Sequence, residues 1–231
     1  MQNAALQRSG GSPDGGAAGP EIHLVGGPDI HDHLLAGVSR TFAFTIPQLP
    51  DGLREAVTNA YLLCRIADTV EDDPGLDADS KDGFLRLFLV ALENGHGADE
   101  FARALPPRLA PSTPAAEVEL VRESPRVLRA SHEFPRRQRD AILRCVETMS
   151  AGMSDFERGS DQTGLADVAE LERYCYFVAG VVGEMLTELF CAYSQRIDAR
   201  RGELEARAVS FGLGLQMTNI LKDVWDDRSR G

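Results

Sequence analysis

Apolar residues along this chain recur with the 3.6-residue period of amphipathic helices, and the alternation typical of strands is almost absent. A connector with four prolines occupies residues 105–114. Pro125 favours a split of the helix in which it lies. Since no repeat of solenoid length is present, the pattern predicts a single all-α domain. The predicted helices cover residues 30–44, 51–73, 80–93, 116–130, 135–158, 167–192 and 199–226.

Prolines and capping residues set several of these predicted boundaries. Pro47 and Pro50 close the first helix. Asp51 is the predicted N-cap of the second helix, which Pro74 ends. Asp167 is likewise the predicted N-cap of the long helix that follows it.

The polar N-terminal segment and the longest apolar run both bear on whether the protein is secreted or spans a membrane. Residues 1–28 are rich in glycine, alanine and serine, with no apolar stretch after a basic start. They predict a flexible tail without a signal peptide, followed by a helical domain over residues 29–231. The longest apolar run, residues 176–193, contains Glu184 and Glu188, which would be costly in lipid. No transmembrane span is therefore expected.

Composition excludes one class of partner and indicates a compartment. The formal net charge is −12, and nucleic-acid binding requires lysine and arginine to replace the phosphates' counterions. No nucleic-acid partner is therefore expected. The four cysteines show no Cys-x-x-Cys spacing and lie in helical patterns, so they are predicted to be buried free thiols. Free thiols favour a reducing compartment, in this case the cytoplasm.

A first acidic cluster, Asp68-Thr-Val-Glu-Asp72, extends an apolar helix. Asp68 and Asp72 are four residues apart and share a helix face, where unpaired like charges repel. A hard cation such as Mg²⁺ between them would relieve that repulsion, while a solvated surface is the plainer explanation. Arg65 lies one turn earlier, either as a structural ion pair or as a fork that binds a phosphate.

A second polar stripe follows a glycine-containing segment near the end of the chain. Gly212 and Gly214 are poor helix formers, so their presence indicates that another surface approaches closely. An amide oxygen with two carboxylates is a plausible Mg²⁺ ligand set, while a buried and satisfied asparagine is the alternative. The residues of the stripe, spaced to share one helix face, are Gln216, Asn219, Asp223 and Asp227.

Three further features carry less information by themselves. Arg40, in Ser39-Arg-Thr-Phe42, lies near the end of a predicted helix, where favourable interaction with the dipole explains it equally well. Tyr174 opens an apolar helix face, on which a core tyrosine is the default. His31 and His33 are two residues apart and do not share a helix face, which argues against a zinc site.

Taken together, these motifs resemble the squalene and phytoene synthase family of head-to-head prenyl transferases. They occur in family order over residues 30–231, and the Asp-Thr-Val-Glu-Asp form looks more like squalene synthases. The segments that carry the resemblance are Ser39-Arg-Thr-Phe42, Tyr61-Leu-Leu-Cys-Arg-Ile-Ala-Asp-Thr-Val-Glu-Asp-Asp73, Tyr174-Cys-Tyr-Phe-Val-Ala-Gly-Val-Val-Gly183 and Gly214-Leu-Gln-Met-Thr-Asn-Ile-Leu-Lys-Asp-Val-Trp-Asp-Asp227.

The resemblance implies an all-α isoprenoid synthase fold with a central cavity and assigns roles to its residues. Tyr174 would lie near the reacting carbons. The first metal cluster would be formed by Asp68, Glu71 and Asp72, and the second by Asn219, Asp223 and Asp227. The other implied substrate-binding residues, those that would contact the diphosphate or its surroundings, are Ser39, Arg40, Arg65, Gln216 and Lys222.

The implied activity is a Mg²⁺-dependent condensation of two farnesyl diphosphates to presqualene diphosphate or squalene. NADPH would enter only with the reductive half-reaction, and no Gly-x-Gly-x-x-Gly loop supports it independently. Ala179, Gly180 and Gly212 would leave room for prenyl tails, and so apolar a substrate would allow peripheral contact with a membrane. A phytoene-type synthase using geranylgeranyl diphosphate is one alternative. Another is an inactive homologue that binds a prenyl chain or assists assembly, because family members usually continue beyond the second acidic motif and this chain is expected to lack their final helices.

Overall fold

The computed structural model describes the backbone of residues 30–159 and 165–230, and the side chains of residues 30–156 and 165–221. Regular structure in these ranges is entirely helical, which confirms the all-α prediction. The predicted tail over residues 1–28 lies outside the described residues.

Short loops connect the helices within each of the two described ranges. Single 3₁₀ turns cover Ile46–Gln48 and Pro106–Arg108, and a π-helical turn, Tyr176–Gly180, joins α8 to α9. The α-helices in the described ranges are α1 (Ile30–Val38), α2 (Phe42–Thr45), α3 (Leu53–Asp72), α4 (Ala78–Asn94), α5 (Ala98–Ala104), α6 (Ala115–Glu133), α7 (Arg136–Gly159), α8 (Val168–Cys175), α9 (Val181–Tyr193), α10 (Gln195–Asp198) and α11 (Arg201–Arg230).

The first two predicted helix boundaries were wrong for local reasons. The helix predicted over residues 30–44 breaks after Val38, where the Ser39 hydroxyl oxygen accepts a hydrogen bond from the Phe42 N–H at 3.0 Å and starts α2. Asp51 does not cap α3. Gly52, with φ +81°, is the N-cap, and its N–H donates to the Glu55 carboxylate.

Two later predictions were also corrected, and two short helices were missed. α6 continues through Pro125, which is buried, because core packing offsets the hydrogen bond that proline cannot make. The helix predicted from Asp167 is interrupted by the π-helical turn, although Asp167 does cap it by accepting from the Glu170 N–H at 2.8 Å. Two short helices, α5 and α10, were not predicted.

The core forms around α3, which packs against α1, α6, α7 and α9. Its inward-facing residues recur with the helical period and include Leu53, Ala56, Ala60, Leu63 and Ala67. All four cysteines are buried and free, as predicted. This packing fixes α3, and with it the first acidic cluster, at the centre of the bundle.

One helical run, Val168–Tyr193, is long and apolar enough to cross a membrane when judged by length and composition alone. It packs against α7 and α11. Its Glu188 makes ion pairs with Arg137, at 2.5 Å, and with Arg201. In this bundle the run therefore packs against two other helices and carries an ion-paired glutamate.

Two glycines bring the backbone of α11 close to α9 and to the π-helical turn. A Cβ atom on Gly183 would overlap the Ala208 carbonyl, and one on Gly212 would overlap the carbonyl of Ala179. A Cβ on Gly180 would lie 2.8 Å from the ring of Tyr176. The close approach expected of these glycines is therefore a helix-to-helix contact.

The C-terminal end of α3 is tied to the proline-rich connector by Asp73, which is buried. Its Oδ1 accepts from the Gly75 N–H at 2.8 Å and from the Ala110 N–H at 2.9 Å, and its Oδ2 accepts from the Thr113 hydroxyl. Because these bonds use both oxygens, Asp73 is a structural carboxylate that anchors the helix end carrying Asp68 and Asp72.

Candidate active site

An apolar cavity of about 370 Å³ opens between α2, α3, α7, α9 and α11. Asp68 of α3 lines it together with Gln216 and Asn219 of α11. The first acidic cluster and the second polar stripe thus contribute side chains to the same cavity, which was the central expectation from the sequence. Apolar side chains that line it include Ile46, Val57, Met149, Val182, Leu186 and Phe190.

The second polar stripe is only partly within the described side chains. Gln216 is half-buried and Asn219 is exposed at the cavity. The backbone of α11 continues through Arg230. Lys222, Asp223 and Asp227 lie beyond residue 221, so the roles predicted for their side chains fall outside the described part of the chain.

The Asp68 carboxyl is held in an unfavourable place for a negative charge. Its side chain is 31% exposed, at the cavity. Desolvation, followed by the charge of Asp72, raises the pKa of Asp68 to about 7, against the opposing effect of Arg65. Glu117 and Glu71 raise it further. Desolvation and the neighbouring carboxylates together therefore make the charged form of Asp68 costly.

This raised pKa gives the stability a defined pH dependence in the absence of divalent cations. Between the ordinary value of 3.8 and about 7, the folded chain retains a proton on Asp68 that the unfolded chain has released. The free energy of unfolding should therefore fall as the pH rises through that window and stay lower above it. Asp68→Asn should flatten this part of the profile, as measured by urea midpoints in EDTA at about pH 5 and about pH 8. A slope unchanged by the substitution would contradict the assignment.

Arg65 is shared between two carboxylates, one of which the sequence did not indicate. Its Nη2 donates to Glu117 Oε1 of α6 at 2.5 Å, while its Nη1 lies 3.9 Å from Asp68 Oδ2. Burial lowers the pKa of the Arg65 guanidinium, but the bond to Glu117 and its charge outweigh that effect, so the pKa is raised. Arg65 therefore does form an ion pair, with Glu117, and its position beside Asp68 is also compatible with binding a phosphate.

The turn between α1 and α2 lies against the same part of α3. The Tyr61 ring packs on Phe42 with centroids 5.1 Å apart, and the Ser39 side chain lies close enough to influence the pKa of Tyr61. Desolvation raises the pKa of Tyr61, and Ser39 opposes the rise. Tyr61 lines the cavity but was not among the predicted site residues, whereas Arg40 is exposed in this turn.

Tyr174 is placed near the acidic cluster and not on the cavity lining. It is half-buried, with an edge-to-face contact to Phe156 at 5.5 Å between centroids. Desolvation raises the pKa of Tyr174, and the charges of Asp72 and Asp68 add to that rise. The tyrosine therefore lies within electrostatic range of both carboxylates.

The donor set suits a hard divalent cation in part. Among the described residues, no three acidic, histidine or cysteine side chains form a group that could hold a metal ion by themselves. Mg²⁺ usually keeps several waters and binds one or two carboxylates together with substrate phosphates. The charge of Asp68, which desolvation and Asp72 disfavour, fits that mode of binding, whereas Glu71 is only 8% exposed.

An all-α bundle around an apolar cavity with carboxylate and amide groups at its edge is the architecture of an isoprenoid synthase. The comparison with solved structures agrees: TcSQS in complex with a ligand matches with a TM-score of 0.71 and 30% identity, covering 86% of this chain and 54% of that one. A complex of TcSQS with a different ligand matches with a TM-score of 0.69.

The chain belongs to the squalene/phytoene synthase family, whose model matches residues 35–231. A squalene synthase of Candida albicans is 33% identical over 206 residues, which are 86% of this chain and 43% of that protein. Squalene synthase BSS of Botryococcus braunii is 33% identical, over 82% of this chain and 38% of its own length. The chain thus spans less than half the length of these curated relatives.

Proposed function

We propose that this chain ionises a prenyl diphosphate in a Mg²⁺-dependent, head-to-head condensation of two farnesyl diphosphates to presqualene diphosphate or squalene. The observation that carries the proposal is the shared cavity, in which Asp68 of α3 and Asn219 of α11 border an apolar interior. Membership of a family of head-to-head prenyl transferases supports the reaction class.

The residues of the site divide the chemistry between the edge and the interior of the cavity. When bound, Mg²⁺ would supply positive charge to the departing diphosphate. Asp68 and Asp72 would hold it, with Asn219, Asp223 and Asp227 as the second ligand set. Because the allylic C–O bond breaks heterolytically, the diphosphate takes the electron pair.

Cationic side chains would stabilise the leaving group further. We assign that role to Arg40, Arg65 and Lys222, with Ser39 and Gln216 beside the bound diphosphate.

The apolar interior would protect the allylic cation that ionisation leaves behind. Val182, Leu186 and Phe190 line the cavity and would exclude water from the allylic cation. The cation would then be attacked by the double bond of the second prenyl chain, and loss of a proton would close a cyclopropane. Tyr174, near the acidic cluster, would position the intermediate or assist removal of that proton.

Product analysis tests the proposal directly. The chain is incubated with farnesyl or geranylgeranyl diphosphate, with Mg²⁺ or EDTA, and with or without NADPH. Pyrophosphate release and a C30 product from farnesyl diphosphate would support it. A C40 product from geranylgeranyl diphosphate alone would favour the phytoene-type alternative. Prenyl binding without any pyrophosphate release would favour a binding or assembly protein.

We also propose that the chain is cytoplasmic and touches membranes peripherally when it takes up its apolar substrate. Apolar side chains are exposed around the cavity, with Phe44 78% and Phe211 61% exposed. Surface aromatic groups of this kind insert at the membrane interface. Co-sedimentation with zwitterionic vesicles should therefore be reduced in Phe44→Ser, and a chain that stays in the supernatant would contradict this.

A further inference from the structure

The position of Arg65 between two carboxylates is asymmetric. Its guanidinium makes a short hydrogen bond to Glu117 at 2.5 Å, whereas its nearest nitrogen is 3.9 Å from Asp68, beyond hydrogen-bond distance. Arg65 Nε is buried and has no hydrogen-bond partner among the described residues. The arginine is therefore drawn toward Glu117 and makes no bidentate pair with Asp68.

Glu117 is well placed to hold the arginine there. It lies in the first turn of α6, a favourable end for an acidic residue, and its side chain is only 14% exposed. Its second oxygen lies 3.4 Å from the Thr69 hydroxyl of α3. Because α3 and α6 pack closely along their lengths, the carboxylate has a fixed location beside the acidic cluster.

We propose that Glu117 is a positioning residue that holds Arg65 away from Asp68 and so keeps the Asp68 carboxylate available to a divalent cation. The inference rests on the proposed function, because it assumes that Asp68 binds a metal ion. It adds a residue of α6 that touches neither substrate nor metal.

The physical reason is competition for one guanidinium. An arginine and a carboxylate bind best through two parallel hydrogen bonds, and such a pair occupies both carboxylate oxygens. Without Glu117, Arg65 would be left with an unbonded Nη2 as well as an unbonded Nε, and the Asp68 carboxylate already lies 3.9 Å from its Nη1. A cation would then have to displace the arginine before it could bind.

Binding of Mn²⁺ alone, followed by its electron paramagnetic resonance signal, tests this on the whole chain without substrate. Glu117→Gln should weaken Mn²⁺ binding about tenfold, the lower range for loss of a group that orients a metal ligand. The matched control is Glu119→Gln. Glu119 lies two residues further along α6 and pairs with His33 at 3.1 Å on the surface, so its loss should leave the affinity unchanged.

A double-variant cycle separates competition from simple loss of charge. Adding Arg65→Gln should strengthen Mn²⁺ binding by a larger factor in Glu117→Gln than in the unaltered chain. Equal factors in both backgrounds would overturn the inference, since a purely electrostatic contribution is additive. Circular dichroism melts would confirm that each variant is folded.

The cycle also distinguishes the two proposals. Mn²⁺ binding that depends on Asp68 but shows equal factors would overturn only the role of Glu117. Absence of Mn²⁺ binding by the unaltered chain, both alone and with inorganic pyrophosphate added, would overturn both that role and the metal site of the proposed function.

Discussion

Asp68→Asn is expected to abolish pyrophosphate release from farnesyl diphosphate while the helical bundle remains folded. Asparagine keeps the size of the side chain but removes the charge that would hold a divalent cation at the cavity. Removal of a single group that stabilises developing charge typically costs about 10²–10³ in rate, and loss of a metal ligand acts on the same step.

The fold should tolerate this substitution because the charged form of Asp68 is already disfavoured. Burial raises the pKa of its carboxyl to about 7, so a neutral side chain removes a desolvation penalty. Far-ultraviolet circular dichroism and the urea midpoint should match or exceed those of the unaltered chain.

Asp51→Asn is the matched control for that experiment. Asp51 precedes the other end of α3, is exposed and does not cap the helix. Its substitution should leave both pyrophosphate release and the urea midpoint unchanged. Retained turnover in Asp68→Asn, with the control also active, would count against a metal-binding role for the first acidic cluster.

Gly212→Ala is expected to destabilise the fold substantially. Its new methyl group would overlap the carbonyl of Ala179, which is backbone and cannot rotate away as a side chain can. Relief would require α11 to move away from α9 and the π-helical turn. Overpacking of this kind costs about 1–3 kcal/mol or more, and a rigid backbone contact favours the upper end.

Gly214→Ala, two residues away on the same helix, provides the comparison. A Cβ atom on Gly214 would meet nothing within 4 Å. Alanine there should therefore stabilise the helix by about 0.5–1 kcal/mol. Urea denaturation of both variants measures the difference, and equal midpoints would show that the close contact between α9 and α11 does not constrain the fold.

The sequence predicted the parts of the site that depend on helical period alone. Because residues three or four apart share a helix face, Asp68 could be placed with Asp72, and Gln216 with Asn219. The resemblance to the squalene and phytoene synthase family then implied a central cavity, and Asp68 and Asn219 line one cavity together. The fold class followed from the same periodicity.

Contacts between distant parts of the chain could not be predicted in the same way. Glu117 lies fifty-two positions from Arg65, and nothing in its own surroundings distinguishes it from the exposed Glu119. The break at Ser39 was also missed, because its hydroxyl accepts a hydrogen bond from the Phe42 N–H and so starts a new helix where a continuous one was predicted. For Gly212 the sequence indicated a close approach, but only the packing decides between a neighbouring helix and a ligand.

The π-helical turn separates a tyrosine near the acidic cluster from the apolar residues that line the cavity. A π turn contains one residue more than an α-helical turn, so it offsets the angular phase of everything that follows. Tyr174 precedes the turn and is within range of the carboxylates, whereas Val182 and Leu186 follow it and face the apolar interior. Deleting one residue there would rotate the downstream helix by about 100° relative to Tyr174. The extra residue of the π-helical turn thereby sets the angle between Tyr174, near the carboxylates, and the apolar residues that line the cavity.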